Sequence, residues 1–150
     1  MEDGNVMINI IYEDNHLLVV EKKVGILSQS DGTNTPDMLT ILKAYLKEKY
    51  QKPGNVYLGL VHRLDKNVGG IMVFAKTSKA AKRLSEQIRN HEFSKHYLTI
   101  CKGIISSDGK YQDYLKRVEY RSIISNNKEG KIAVLNYKVL GIKNNNTLVK

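Results

Sequence analysis

The sequence predicts an α+β fold, a mixed and largely antiparallel sheet with flanking helices. Seven short segments rich in β-branched and aromatic residues outnumber two stretches of helical period. Several of those segments follow one another across short polar turns, as hairpins do. A length of 150 residues fits one domain, large enough to bury roughly 68–70% of its unfolded surface.

In order along the chain, residues 8–12 and 17–22 read as strands joined by Glu13-Asp14-Asn15-His16. Thr35-Pro36-Asp37 is a helix start, with a capping Thr, Pro at the first helical position and an acid in the first turn. Met38, Leu39, Ile41, Leu42, Tyr45 and Leu46 then keep a 3.6-residue period until Pro53-Gly54 ends it. The runs 56–61 and 70–75 are continuously apolar and flanked by Gly or Pro, as buried strands are. A second helix starts at Thr77-Ser78 and runs to about His91, with Ala80, Ala81, Leu84 and Ile88 as a narrow buried stripe. Lys79, Lys82, Arg83 and Arg89 lie on its other side. Further strands are expected at 95–102, 121–125 and 131–140, a flexible loop at 125–130, and a turn at Asn144-Asn145-Asn146. No repeat, low-complexity tract or linker divides the sequence, so 1–150 is expected to be a single domain.

Charge narrows the partners. The chain carries 24 Lys and Arg against 15 Asp and Glu, a net charge of +9. Residues 1–61 contribute −2, residues 62–102 contribute +6, and residues 103–150 contribute +5. Positive charge thus begins at residue 62 and continues, a pattern that fits an anionic partner such as a phosphate backbone as well as plain solubility. The single cysteine, Cys101, excludes an internal disulfide, fits a reducing compartment, and sits in an apolar segment as an inert thiol would. No signal-peptide pattern opens the chain, and no apolar run approaches the roughly 18 residues a membrane span needs. A soluble, cytoplasmic protein with no membrane partner is expected. The histidines at 16, 62, 91 and 96 lack metal-ligand spacing, no Gly-rich phosphate loop occurs, and no G-x-S-x-G is present. His62-Arg63-Leu64-Asp65 differs from a kinase catalytic loop, where Asp directly follows Arg.

That tetrapeptide is the most informative stretch. It lies between the apolar runs 56–61 and 70–75, with Arg63 and Lys66 beside the lone carboxylate of Asp65. Spacing alone fits two accounts, a solvated polar loop or a catalytic carboxylate presented by a rigid sheet.

The segment HRLDKNVGGIMVFAK, from His62 to Lys76, resembles the signature of the RluA-type family of RNA pseudouridine synthases. Val68 and Gly69 stand where many members have Thr and Ser. The stretch from Ile10 to Gly32 resembles the family's opening hairpin with its Lys-x-x-Gly, and Lys95 to Gly103 resembles its K-x-Y-x-x-x-x-x-G strand. AVLNYKVLGIKNNNTLVK resembles the strand pair that follows. These motifs keep the family's order and cover nearly the whole chain.

The resemblance implies the pseudouridine synthase fold and isomerisation of uridine to pseudouridine in structured RNA, ribosomal or transfer, with no cofactor and no metal. Asp65 would be the nucleophile. Tyr97 would line the uracil pocket and accept or relay a proton, although an ordinary Tyr, with a pKa near 10, is a poor base at neutral pH. A flipped uridine leaves a gap in its stack, which Arg63 could fill, or Arg63 could hold a flanking phosphate or an ion pair within the loop. His62 fits either an RNA contact or a hydrogen-bonded loop anchor. Lys66, with Lys79, Lys82 and Arg83 on the second helix, would meet the RNA backbone, or the helix face is simply solvated. An RNA-binding module without turnover is the alternative of a different class.

With the opening hairpin starting near residue 8, the small basic RNA-binding domain that some relatives carry ahead of it is not expected. The family's G-R-x-H-Q-I-R motif would begin roughly where Thr147-Leu148-Val149-Lys150 closes the sequence. The resemblance therefore implies a fold incomplete at its C-terminus, with a basic partner for Asp65 beyond residue 150. Little or no activity is expected of it. It would be a monomer with an open cleft, or would associate through an exposed sheet edge.

Overall fold

The computed structural model describes residues 8–126 and 129–150. They form two compact units, one running to Phe93 and the other from Ser94 to Lys150. Among the described residues every strand pairing is antiparallel, in keeping with the expected α+β class, and the one parallel contact is an isolated bridge between Leu27 and Asp37.

The first unit is a four-stranded sheet with two helices. Its strands are β1 (Asn9–Glu13), β2 (Leu17–Lys22), β3 (Gly59–Leu60) and β4 (Gly70–Ala75), in the order β1-β2-β4-β3. The turn from β1 to β2 is held by Asp14, whose carboxylate accepts from the backbone N–H groups of His16 at 2.7 Å and Leu17 at 2.6 Å. Strand β2 alternates strictly, with Leu18, Val20 and Lys22 buried. Helix α1 (Met38–Lys49) lays Met38, Leu42 and Leu46 on a core with Leu18, Val20, Ile26, Val56, Leu58, Met72 and Phe74. Helix α2 (Ser78–Arg89) packs on β3 and β4. Gly59 permits that approach, because a Cβ there would lie 3.0 Å from the Ala81 Cβ.

The helices depart from expectation in detail. The cap of α1 is Asp37, accepting from the Thr40 N–H at 3.0 Å. Thr35 does not cap it, since the Thr35 hydroxyl lies 3.0 Å from that of Thr33, and Pro36 therefore precedes the helix. Helix α2 has the expected cap, Thr77. Of its apolar stripe Ala80 is buried, while Ala81, Leu84 and Ile88 are half-buried.

The run 56–61 pairs at two positions only, Gly59 with Ala75 and Leu60 with Phe74. Val56 and Leu58 enter the core without joining a ladder. The pairing stops because a side chain takes the next donor: the Val73 N–H, opposite Val61, donates to Nε2 of His62 at 3.0 Å.

The second unit holds two three-stranded sheets. One has the order β5-β10-β9, from β5 (Thr99–Lys102), β9 (Val139–Lys143) and β10 (Asn146–Val149). The other has the order β7-β6-β8, from β6 (Gly109–Val118), β7 (Arg121–Ile124) and β8 (Lys131–Tyr137). The expected strand at 95–102 is confined to β5. The one expected at 131–140 divides at Lys138, where the chain passes from one sheet to the other. Strand β6 was not expected at all. The Asn144-Asn145 turn is present, both residues at positive φ, 50° and 56°. Of the loop expected at 125–130, residues 127–128 lie outside the described residues. No helix among the described residues is long and apolar enough to cross a membrane.

Candidate active site

His62, Arg63, Asp65 and Lys66 lie on the loop 61–69 between β3 and β4. At the same end of the sheet β2 ends, because Lys22 pairs with Gly70. Gly70 closes the loop at φ 151°, a conformation that residues with a Cβ rarely adopt.

The loop is fastened from inside at every second residue. His62 is half-buried, its ring accepting from Val73 and lying 5.5 Å from that of Phe93. Leu64 packs against the core. Its backbone is gripped twice by Ser28, whose hydroxyl donates to the Leu64 carbonyl at 2.6 Å and accepts from the Leu64 N–H at 3.0 Å. The Lys66 carbonyl accepts from the Gly25 N–H at 2.8 Å and from the Lys22 ammonium at 3.4 Å. Arg63, Asp65 and Lys66 are exposed between these fastenings. Asp65 therefore stands on a backbone anchored one residue before and one residue after it. Its own carbonyl accepts from the Val68 N–H at 3.0 Å, closing the turn.

Sequence reasoning passed over Lys22 and Ser28 as functional candidates. Lys22 is completely buried, and its ammonium also donates to the carbonyls of Ile26 at 2.7 Å and Lys23 at 3.2 Å. Burial lowers its pKa from the ordinary lysine value, and the charge of Asp65 acts in the opposite direction. Its signal was present in the sequence, because the alternation of β2 puts residue 22 on the same face as Leu18 and Val20. A lysine at a core position needs a reason.

The remaining candidates belong to other elements. Lys79, Lys82 and Arg83 are exposed on the first half of α2. Strand β4 carries the chain about 20 Å from the loop before that helix begins, so these residues start at the opposite end of the sheet. Tyr97 belongs to the second unit, precedes β5, and is 52% exposed. Among the described residues no three His, Cys, Asp or Glu side chains cluster as metal ligands.

A family model described as RNA pseudouridylate synthase matches residues 16–150. The chain is 35% identical over 139 residues to an uncharacterized RNA pseudouridine synthase of Aquifex aeolicus, an alignment covering 91% of this chain and 44% of that protein. It is 31% identical over 143 residues to the ribosomal large subunit pseudouridine synthase D of Haemophilus influenzae, covering 93% and 43%. Among solved structures, human RNA pseudouridylate synthase domain containing 4 is similar with a TM-score of 0.75 at 22% identity, over 94% of this chain and 57% of that one. The chain spans less than half the length of these two curated relatives.

Proposed function

The chain belongs to the RNA pseudouridylate synthase family, and we propose on that premise that it isomerises uridine to pseudouridine in structured RNA, with Asp65 as the nucleophile. The observation that carries this assignment is the fastening of Leu64 and Lys66 on either side of an exposed carboxylate. A reacting group must be held to within a fraction of an ångström, and packing of its neighbours is how a loop achieves that.

In the reaction the C1′–N1 bond breaks, the uracil turns while bound, and C5 bonds to C1′. The C5 hydrogen leaves to water and N1 takes up a proton, so no oxidant or group donor is consumed. Asp65 would act at C1′ or C2′ as the base departs. Tyr97 would line the uracil pocket and relay the proton. Arg63 and Lys66, exposed beside Asp65, are placed to meet the phosphates or the gap left by a flipped uridine. The relatives named as ribosomal large subunit enzymes make ribosomal RNA the substrate to test first and transfer RNA the second. We take the protein to act in the cytoplasm, as a monomer.

Release of tritium from RNA carrying 5-tritiated uridine tests this directly. Extended to the length of its relatives, the protein should release it, and Asp65→Asn in that form should abolish release while leaving RNA affinity within a few-fold. Retained release by purified Asp65→Asn would remove Asp65 as nucleophile. RNA binding by the extended wild type without any release would instead favour a binding module.

A further inference from the structure

The hairpin of β6 and β7 turns in two residues, Glu119 and Tyr120, because Val118 pairs with Arg121. Two-residue turns favour Gly, Asn or Asp, which accept a positive φ at little cost. Here Glu119 takes the positive φ, 52°. Tyr120 beside it is 94% exposed, more than any other large hydrophobic side chain among the described residues. A ring left in water contributes almost nothing to folding. The stability of the turn therefore explains neither residue, and backbone strain of this kind is a pointer to function.

The neighbours of the ring fix what it can meet. The register puts Lys116, Val118, Arg121 and Ile123 on one face of the hairpin. Val118, Glu119, Tyr120, Arg121 and Ile123 line a shallow depression of about 450 Å³, which combines two apolar side chains, an aromatic ring and a guanidinium. Arg117 lies on the opposite face, but its Nε donates to the Glu119 carbonyl at 3.1 Å and so stays beside the turn. Lys116 reaches Glu129 at 2.8 Å, in a pair whose side chains are 48% and 61% exposed. Such a pair is weak and yields readily to another anion. Guanidinium groups thus flank the exposed ring on both faces of the hairpin.

We propose that this tip is an RNA contact outside the loop of Asp65, taking one unpaired base against Tyr120 with its flanking phosphates on Arg117 and Arg121. The choice of RNA as the ligand rests on the proposed function. A nucleotide in a single strand has an apolar face and an anion on either side, and Tyr120 between two guanidinium groups matches both features. Stacking on an aromatic side chain is indifferent to which base is taken, so the tip adds affinity and not sequence choice. The apolar surface of a partner protein would gain from Val118 and Ile123 but would leave both guanidinium groups unmatched.

Affinity for a transcript of large-subunit ribosomal RNA, measured by filter binding, tests the contact in the protein extended to the length of its relatives. Tyr120→Ala should bind about tenfold more weakly, and Tyr120→Phe, which keeps the ring, should stay within about twofold of wild type. Arg117→Gln combined with Arg121→Gln should make the plot of log affinity against log salt shallower by about 1.4 units, the share of two phosphates on a single strand. All three side chains are exposed, so these variants keep the fold. In the wild type, irradiation on RNA carrying 4-thiouridine should cross-link a peptide that contains Tyr120.

Wild-type affinity in Tyr120→Ala, or an equal loss in Tyr120→Ala and Tyr120→Phe, would overturn the stack. Unchanged RNA affinity together with a self-association that Tyr120→Ala abolishes would assign the tip to a protein surface instead. Tritium release keeps the two readings apart. Extended wild type that binds RNA without release would defeat the enzymatic assignment and leave the Tyr120 comparison to decide the contact, whereas no RNA binding at all would overturn both.

Discussion

Glu13 shows how one carboxylate ties a helix to a sheet. Its side chain, 8% exposed, accepts from the ammonium groups of Lys76 at 2.7 Å and Lys49 at 2.8 Å and from the hydroxyls of Tyr50 at 2.6 Å and Tyr45 at 2.9 Å. Burial alone would raise its pKa, but these four donors outweigh it and hold the group at about 2. A carboxylate with a depressed native pKa stabilises fully above its unfolded value of about 4.5 and loses that contribution as pH falls towards 2. The difference corresponds to about 3 kcal/mol, less whatever the half-exposed Lys49 loses to solvent screening. Glu13→Gln should therefore be about 2 kcal/mol less stable than wild type at pH 7, and urea midpoints of the two should converge between pH 4.5 and pH 2. A gap that persists unchanged at pH 2 would mean that the network contributes through shape, not charge. At this scale the sequence displayed Asp65 openly, because a carboxylate in a loop between apolar runs is visible as a pattern. Ser28 was hidden because its partners are a backbone carbonyl and amide, which any sequence possesses, whereas Lys22 was marked by the alternation of β2, which puts it on the core face.

At the scale of elements, the hydrophobic period located α1, β1, β2 and β4 to within a few residues, since each puts apolar side chains on the core of the first unit, and α2, which packs on β3 and β4. Strand β6 escaped because Gly109-Lys110-Tyr111-Gln112-Asp113-Tyr114-Leu115-Lys116-Arg117-Val118 has no buried residue and so no alternation to read. The start of α1 was misplaced by two residues because Thr35, Pro36 and Asp37 all carry start preferences, and only geometry chooses among them. The choice is testable. Asp37→Ala should cost about 1 kcal/mol and lower the melting temperature by about 3 °C, whereas Thr35→Ala, which breaks only an exposed contact with Thr33, should change it by less than about 1 °C. Calorimetry giving the reverse order would restore Thr35 as the cap.

For the molecule as a whole, charge was more legible than organisation. The boundary between the two units falls at Phe93-Ser94, where no Gly or Pro marks a joint. Burial is also uneven. The buried apolar cluster lies within the first unit, and among the described residues of the second the buried ones are Thr147 and Val149. Positive charge, by contrast, accumulates from residue 62 onward, and on α2 it is exposed at Lys79, Lys82 and Arg83. If that face meets RNA, replacing the three with Ala should weaken binding and make the plot of log affinity against log salt shallower by about two units. A wild-type slope in the triple variant would show that the helix face is only solvated. Because these residues begin at the end of the sheet away from Asp65, turnover at saturating RNA should be unaffected.

The hydrogen bond that ends β3 also fixes a tautomer. With Nε2 of His62 accepting from the Val73 amide, a neutral ring must carry its proton on Nδ1. No lone pair then remains on the imidazole to receive a proton from a substrate. His62, in spite of its place beside a reactive-looking carboxylate, is disqualified as a general base by the backbone it holds. On this loop His62 serves as a surrogate for the strand that stopped one residue short.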